Sequence, residues 1–222
     1  MASAKEMAMQ LRQLYLLLLD EQLIESDSVP AFEKAASTLE AQKDSASWGF
    51  TITRTDPIRF CLAHTKKVNH VQPILQAKLS VSGNPPDGIK GCFSVLNTTL
   101  ELHSEGQLLD RWHVDLANDD QEGPIFHLQY GGHSSGSTMR HIEQKLSVPR
   151  WVHPPLDIVL ACELVVANFF PEKWLRLRKD PKWMALVRAA ESFCYTGYFN
   201  AFGKHYSDPL RKETMLQKLW AS

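Results

Sequence analysis

The chain has no C-x-x-C pair, no phosphate-loop glycine pattern, no excess of either charge and no long uninterrupted apolar run. Each absence closes off a class of function. Four cysteines, Cys61, Cys92, Cys162 and Cys194, lie far apart, which excludes a zinc ribbon or a dithiol redox motif. Cys162 and Cys194 fall inside apolar helical patterns, so they read as reduced core thiols in a cytoplasmic protein. Lys and Arg number 24 against 25 Asp and Glu, so no global basic field draws the chain to nucleic acid or to an anionic membrane. The most apolar stretch, Ile158 to Phe170, is interrupted by Glu163 and Asn168 and is shorter than the roughly 18–20 residues a bilayer span requires. Leu14 to Leu19 is also short, and Asp20, Glu21 and Glu25 follow it with no cleavage pattern, so it reads as helix rather than signal sequence. Repeats and low-complexity tracts are missing too.

What is there is ample apolar content, 44% of 222 residues, arranged first with helical and then with strand periodicity. Residues 4 to 25 read as a helix with Met7, Leu11, Leu14, Leu18 and Leu23 near one face. Tyr15, Leu16, Leu17 and Leu19 widen that face beyond what a surface helix requires. Ser28 before Pro30 reads as the cap of a second amphipathic helix carrying Phe32, Ala35, Ala36 and Leu39. From Trp48 the period is two, with strands at 48–53, 58–64, 73–81 and 92–103. Ser104-Glu105-Gly106-Gln107 is a tight turn, making 92–103 the antiparallel neighbour of 108–117. Short connections imply an antiparallel meander. The expectation is one α+β domain over 1–222: N-terminal helices at 1–46, the sheet at 47–131, a loop at 132–152 and three or four C-terminal helices at 153–222.

Five of the nine histidines, His113, His127, His133, His141 and His153, fall between Asp110 and Trp174. Strand 108–116 puts Trp112 and Val114 on one face and Arg111, His113 and Asp115 on the other. Strand 124–130 puts Phe126, Leu128 and Tyr130 opposite to His127 and Gln129. A loop centred on Asp120 pairs Trp112 with Leu128, Val114 with Phe126, His113 with His127 and Arg111 with Gln129. Opposed Cβ atoms in a sheet lie about 4.5–5.5 Å apart, so the two imidazoles would nearly touch. A one-residue slip would separate them onto opposite faces.

Such a pair can act as general acid and base near neutral pH, with Arg111 steadying negative charge. In a metal-bound variant, His113, His127 and His153 would be ligands. The competing expectation is the solvated face of a hairpin, polar by default. Gly131 to Ser137, GGHSSGS, has the composition of a phosphate cradle without its spacing, so it reads as a surface loop. Residues 139–146 read as a short helical turn. Pro154 and Pro155 open an apolar helix, with Asp157 in its first turn and His153 held extended before a proline. Glu163 in that helix needs a partner or a shifted pKa. Asp180-Pro181 and Asp208-Pro209 read as the starts of two more helices.

Three functions follow as expectations. The first is a soluble, prokaryotic-type interaction subunit that binds another protein, in a hetero-complex or a homodimer, through apolar terminal helices. The second is a histidine-centred hydrolase or ribonuclease using His113 and His127 with Arg111 and Glu163, and with Gln129, His153 and Asp115 contacting the ligand. The third is single-stranded nucleic-acid binding by Arg176 and Lys179, within a basic cluster beside Trp174 and Trp183. The sequence names no cofactor and no dedicated metal.

Overall fold

The computed structural model describes residues 2–64, 70–84, 88–117, 123–131 and 148–221. The expected loop at 118–122, most of the GGHSSGS segment, His133, His141 and the turn at 139–146 lie outside them.

Helix α1 (Ala4–Asp20) opens on a capping box. Ser3 Oγ accepts the Glu6 amide, and the Glu6 carboxylate accepts the Ser3 amide at 2.7 Å, satisfying two amides that helix geometry leaves unpaired. It stops at Asp20, short of residue 25, because Gln22 takes a positive φ of 52° and the Leu23 amide turns back to Leu18 O. Met7, Leu11, Leu14, Leu18 and Leu23 are nonetheless all fully buried. The apolar stripe is therefore consumed inside the chain. After a 3-10 turn at Ser26–Ser28 comes α2 (Val29–Ala41), which buries Phe32, Ala35, Ala36 and Leu39.

Ser28 is not the side-chain cap its position suggests. Its hydroxyl accepts from the Arg59 amide (2.8 Å) and donates to the Arg59 carbonyl (3.2 Å), tying the helix pair to the sheet.

The strands are β1 (Trp48–Ile52), β2 (Ile58–Arg59), β3 (Gln72–Val81), β4 (Phe93–Ser104), β5 (Gln107–Leu116), β6 (Gly123–Pro124), β7 (Phe126–Tyr130), β8 (Arg150–Val152) and β9 (Trp220–Ala221). Seven of them form an antiparallel sheet in the order β1-β3-β4-β5-β7-β8, with β2 also on β3, and β6 pairs with β9 in a separate two-stranded sheet. The β4–β5 turn has Glu105 and Gly106 at φ 51° and 77°. Two left-handed residues match the right-handed twist of the flanking strands. The expected strand 58–64 keeps only two residues in the ladder, and β8 adds to β7 a strand not expected from its proline-rich surroundings.

One face of the sheet carries Leu75, Ala77, Leu79, Leu96, Leu100, Val114 and Phe126, all in the apolar core with α1, α2, α3 (Ile158–Phe169) and α5 (Pro181–Ser207). Between the last two lies α4 (Pro171–Leu177). Asp157 caps α3 by accepting the Leu160 amide at 2.9 Å rather than sitting in its first turn. Asp180 caps α5 as expected, with Pro181 at its start. Asp208 does not start a helix. It closes α5 and accepts the Leu210 amide in a turn, and the last helix, α6 (Met215–Lys218), begins after Thr214. The fold is the α+β arrangement expected: helices, antiparallel meander, helices.

Candidate functional site

The histidine pair read from the sequence does not form across the ladder. His113 stands opposite Gln129, and His127 stands opposite Asp115; Trp112 faces Tyr130 and Val114 faces Leu128. The ladder is displaced by two residues from the expected register. The same register continues past the strand, the Ala117 amide donating to Ile125 O at 2.7 Å, while residues 123–125 also meet residues 219–221. Gly123 and Pro124 pair with β9, and the Ile125 amide donates to Leu219 O at 2.6 Å. A two-residue slip keeps every side chain on its face. His113 and His127 thus share a surface, but as diagonal neighbours.

His113 belongs instead to a hydrogen-bonded chain with Asp115 and Gln129. Its Nε2 donates to Gln129 Oε1 (2.8 Å) and lies 3.1 Å from Asp115 Oδ2. Asn97 donates to the same Asp115 carboxylate, and the Thr99 hydroxyl donates to Asn97 Oδ1 at 3.2 Å. Burial raises the Asp115 pKa, against the lowering influence of His113, Arg111 and Arg150. Because an amide oxygen cannot donate, His113 carries its proton on Nε2, and Nδ1 is left buried without a partner. One row along the sheet, Glu101 is buried beside His103 (3.1 Å) and Arg111 (3.8 Å). The contact with Arg111 is an ion pair outside hydrogen-bond range, which leaves Glu101 Oε1 and Arg111 Nε unpaired.

His127 is almost fully buried, its Nδ1 donating to the Pro124 carbonyl at 3.1 Å. Burial lowers its pKa, with Arg150 and His113 adding to the effect against that hydrogen bond. A neutral imidazole without access to solvent is poorly placed to deliver protons.

The remaining expected site residues lie elsewhere. His153 follows β8 onto the core face, across the sheet from His113 and His127, because side chains alternate along the strand. The three-histidine metal arrangement therefore does not assemble. Among the described residues, no group of three or more His, Cys, Asp or Glu converges as metal ligands would. Glu163 points toward α4 and α5. Its pKa is raised by burial and by Glu191, against the pull of the Trp174 and Trp183 indoles. Neither indole N–H closes a hydrogen bond of normal geometry, so the two rings act as a polar collar and not as firm donors.

Arg176 pairs with Glu21 at 2.8 Å, and Lys173 donates to the Glu21 and Gln22 carbonyls, locking α4 onto the end of α1. Arg178 lies 4.9 Å over the Trp174 ring. Trp183 is 1% exposed, which removes it as a stacking surface for bases. Lys179 is exposed at the end of α4.

The cavity that stands out lies on the other side of the sheet from the histidine network. It occupies about 320 Å³ between the core face and α3. Leu75, Leu100, Trp112, Val114 and Leu128 form its floor and Leu156, Ala161, Leu164 and Phe169 its roof, with Thr98, His153 and Asn168 as the polar groups. His113 also borders it, through the strand backbone, since its ring is turned to the opposite face. Among the described residues that line it, none is Lys, Arg, Asp or Glu. Leu164, although it lines the cavity, is 41% exposed.

Reading the sequence for chemistry missed this site, because its residues look like core. One signal was present. Glu163 and Asn168 both interrupt α3, yet five residues at 100° each place them about 140° apart around the helix. Only Asn168 borders the cavity. No family description, curated protein or solved structure matches the chain.

Proposed function

We propose that the chain is a non-catalytic binding module that holds a small, largely apolar molecule between α3 and the sheet. The observation that carries this reading is the cavity of about 320 Å³, apolar on both walls with three polar side chains at its border. Ligand sites have this character: roughly 300–1,000 Å³, hydrophobic and aromatic walls, and a few polar groups for orientation. Titration with the neutral fluorescent probe N-phenyl-1-naphthylamine should give a single saturable site. Leu164→Trp, which fills the cavity from an already exposed position, should weaken it at least tenfold with the circular dichroism spectrum unchanged. Unaltered probe affinity in that variant would remove the reading.

A second reading, an interaction subunit, draws support from the other end of the chain. The α1 stripe that motivated it is buried internally, but Phe199, Tyr206, Leu210, Leu216 and Trp220 are between 44% and 83% exposed. Exposed large apolar side chains are the material from which association surfaces are built. A second copy of the chain is the simplest partner. Sedimentation velocity over a hundredfold concentration range should show a dimer that Leu210→Ser with Leu216→Ser abolishes, and a monomer throughout would count against it. The hydrolase reading receives less support, since its acid–base pair is replaced by a His113–Asp115–Gln129 network with His127 buried beside it.

A further inference from the structure

We infer that the α3 cavity selects a neutral, hydrophobic molecule bearing a hydroxyl or N–H group, a phenol or long-chain alcohol for example, over anions and over shape-matched molecules without a donor. This rests on the binding reading above and specifies its ligand. Of the three polar lining residues, two already have their only donor proton committed inside the protein.

Thr98 donates its hydroxyl proton to the Leu156 carbonyl at 2.7 Å. A carbonyl cannot donate, so the direction is fixed, and the lone pairs of Thr98 Oγ1 are what remain. Asn168 donates its amide to the Leu164 carbonyl at 2.8 Å. The same logic assigns the nitrogen to that contact and leaves Oδ1 and the second N–H of the amide for a ligand. His153 lies with Nδ1 2.6 Å from the Pro154 carbonyl, so Nδ1 carries the proton and Nε2 is a bare lone pair. Burial lowers the His153 pKa, which keeps the ring in that neutral form at pH 7.

Thr98 and His153 have thus used their only donor internally and present acceptors, and Asn168 adds a third acceptor with one spare N–H. A carboxylate, phosphate, ether or ketone brings only more acceptors, for which the second Asn168 N–H is the single side-chain donor. It finds no cation among the lining residues, and a buried charge without a partner is costly. A hydroxyl or N–H supplies the missing donor. Sites built to receive a hydrogen bond reject an analogue that lacks it, because their own polar groups are then left unpaired on burial. The two walls supply the remaining requirement: Leu75, Leu100, Trp112, Val114, Leu128 and Phe169 accept an apolar body.

The test uses three ligands of one shape, 4-butylphenol, 4-butylanisole and 4-butylbenzoate, titrated calorimetrically into the full chain at pH 7.5. The phenol should bind about tenfold or more tightly than the anisole, with the benzoate weakest. Thr98→Val and His153→Phe, each removing an acceptor that has no spare donor, should each reduce the ratio of phenol to anisole affinity. Equal affinity for phenol and anisole would overturn the donor requirement but leave the cavity as a binding site. Tightest binding by the benzoate, or a phenol preference that survives in both variants, would also overturn it. No binding by any of the three would remove the site itself, and with it the proposed function.

Discussion

Asp157 sits fully buried at the mouth of α3, where its Oδ1 caps the helix and its Oδ2 has no hydrogen-bond partner. Burial raises its pKa from 3.8 to about 6, against the lowering effect of the Leu160 and Val159 amides. A carboxyl that protonates more readily when folded favours the native state fully below the unfolded value. That contribution is lost as pH rises toward and through about 6. Asp157→Asn keeps the capping acceptor and removes the charge. It should raise stability at pH 8 by on the order of 2–3 kcal/mol and have little effect at pH 3.5. Urea midpoints at the two pH values check this, and an equal change at both would show that capping geometry dominates. His127 and His153 act in the opposite sense. Both are held below 6.5 by burial, so their contribution is complete above that value and drains as pH falls beneath it. Ser28 offers a test without titration. Ser28→Ala removes two bonds to the Arg59 backbone and should cost about 1–3 kcal/mol by chemical denaturation.

Among the elements, the β4–β5 hairpin and α3 show how local chemistry and packing divide the work. Glu105 and Gly106 form a turn recognisable from the sequence, because only a residue tolerant of left-handed backbone fits at φ 77°. Gly106→Ala should cost about 1–2 kcal/mol in thermal or urea unfolding without changing the ladder. A loss below a few tenths of a kcal/mol would mean that the turn readjusts freely. Apolar periodicity likewise identified α3 as buried, and its ends fell where the Asp157 cap and Phe169 place them. Which of its interruptions matters was not legible. Glu163 carries the charge and draws the eye, yet it faces two indoles, while the quieter Asn168 borders the cavity. Helical angle separates the two residues, but only a neighbour tells which side is the site.

At the scale of the molecule, the carboxyl-terminal residues pair with a hairpin nearly a hundred positions earlier. Leu219 is buried and its carbonyl receives the Ile125 amide, while β9 pairs with Gly123 and Pro124. Truncation after Ser207 removes all of these contacts. Hydrogen exchange at the Ile125 amide should then accelerate at least tenfold, whereas the amides of Val114 and Leu100, deep in the sheet, should change far less. Uniform acceleration across the sheet would indicate that the tail supports the whole fold rather than the local register. No helix among the described residues is long and apolar enough to cross a membrane.

The boundary between the two kinds of information runs through β5 and β7. Alternation along each strand assigned every side chain to a face, and helical stripes assigned the buried residues of α1, α2 and α3. Those patterns are local, since hydrophobic burial imposes the period of the element that carries it. The partner of each residue is a different quantity. Trp112 against Leu128 and Trp112 against Tyr130 bury comparable apolar surfaces, so periodicity cannot choose between registers two residues apart. The observed register runs on through the Ala117 amide to Ile125 O, beside the contacts of residues 123–125 with 219–221. It broke the expected His113–His127 pair and put Asp115 and Gln129 in its place. The cavity was equally invisible in one dimension, because a wall of leucines reads the same whether it meets another side chain or encloses a ligand. Burial tendency is a property of the chain, whereas register and enclosed volume arise only when distant segments meet.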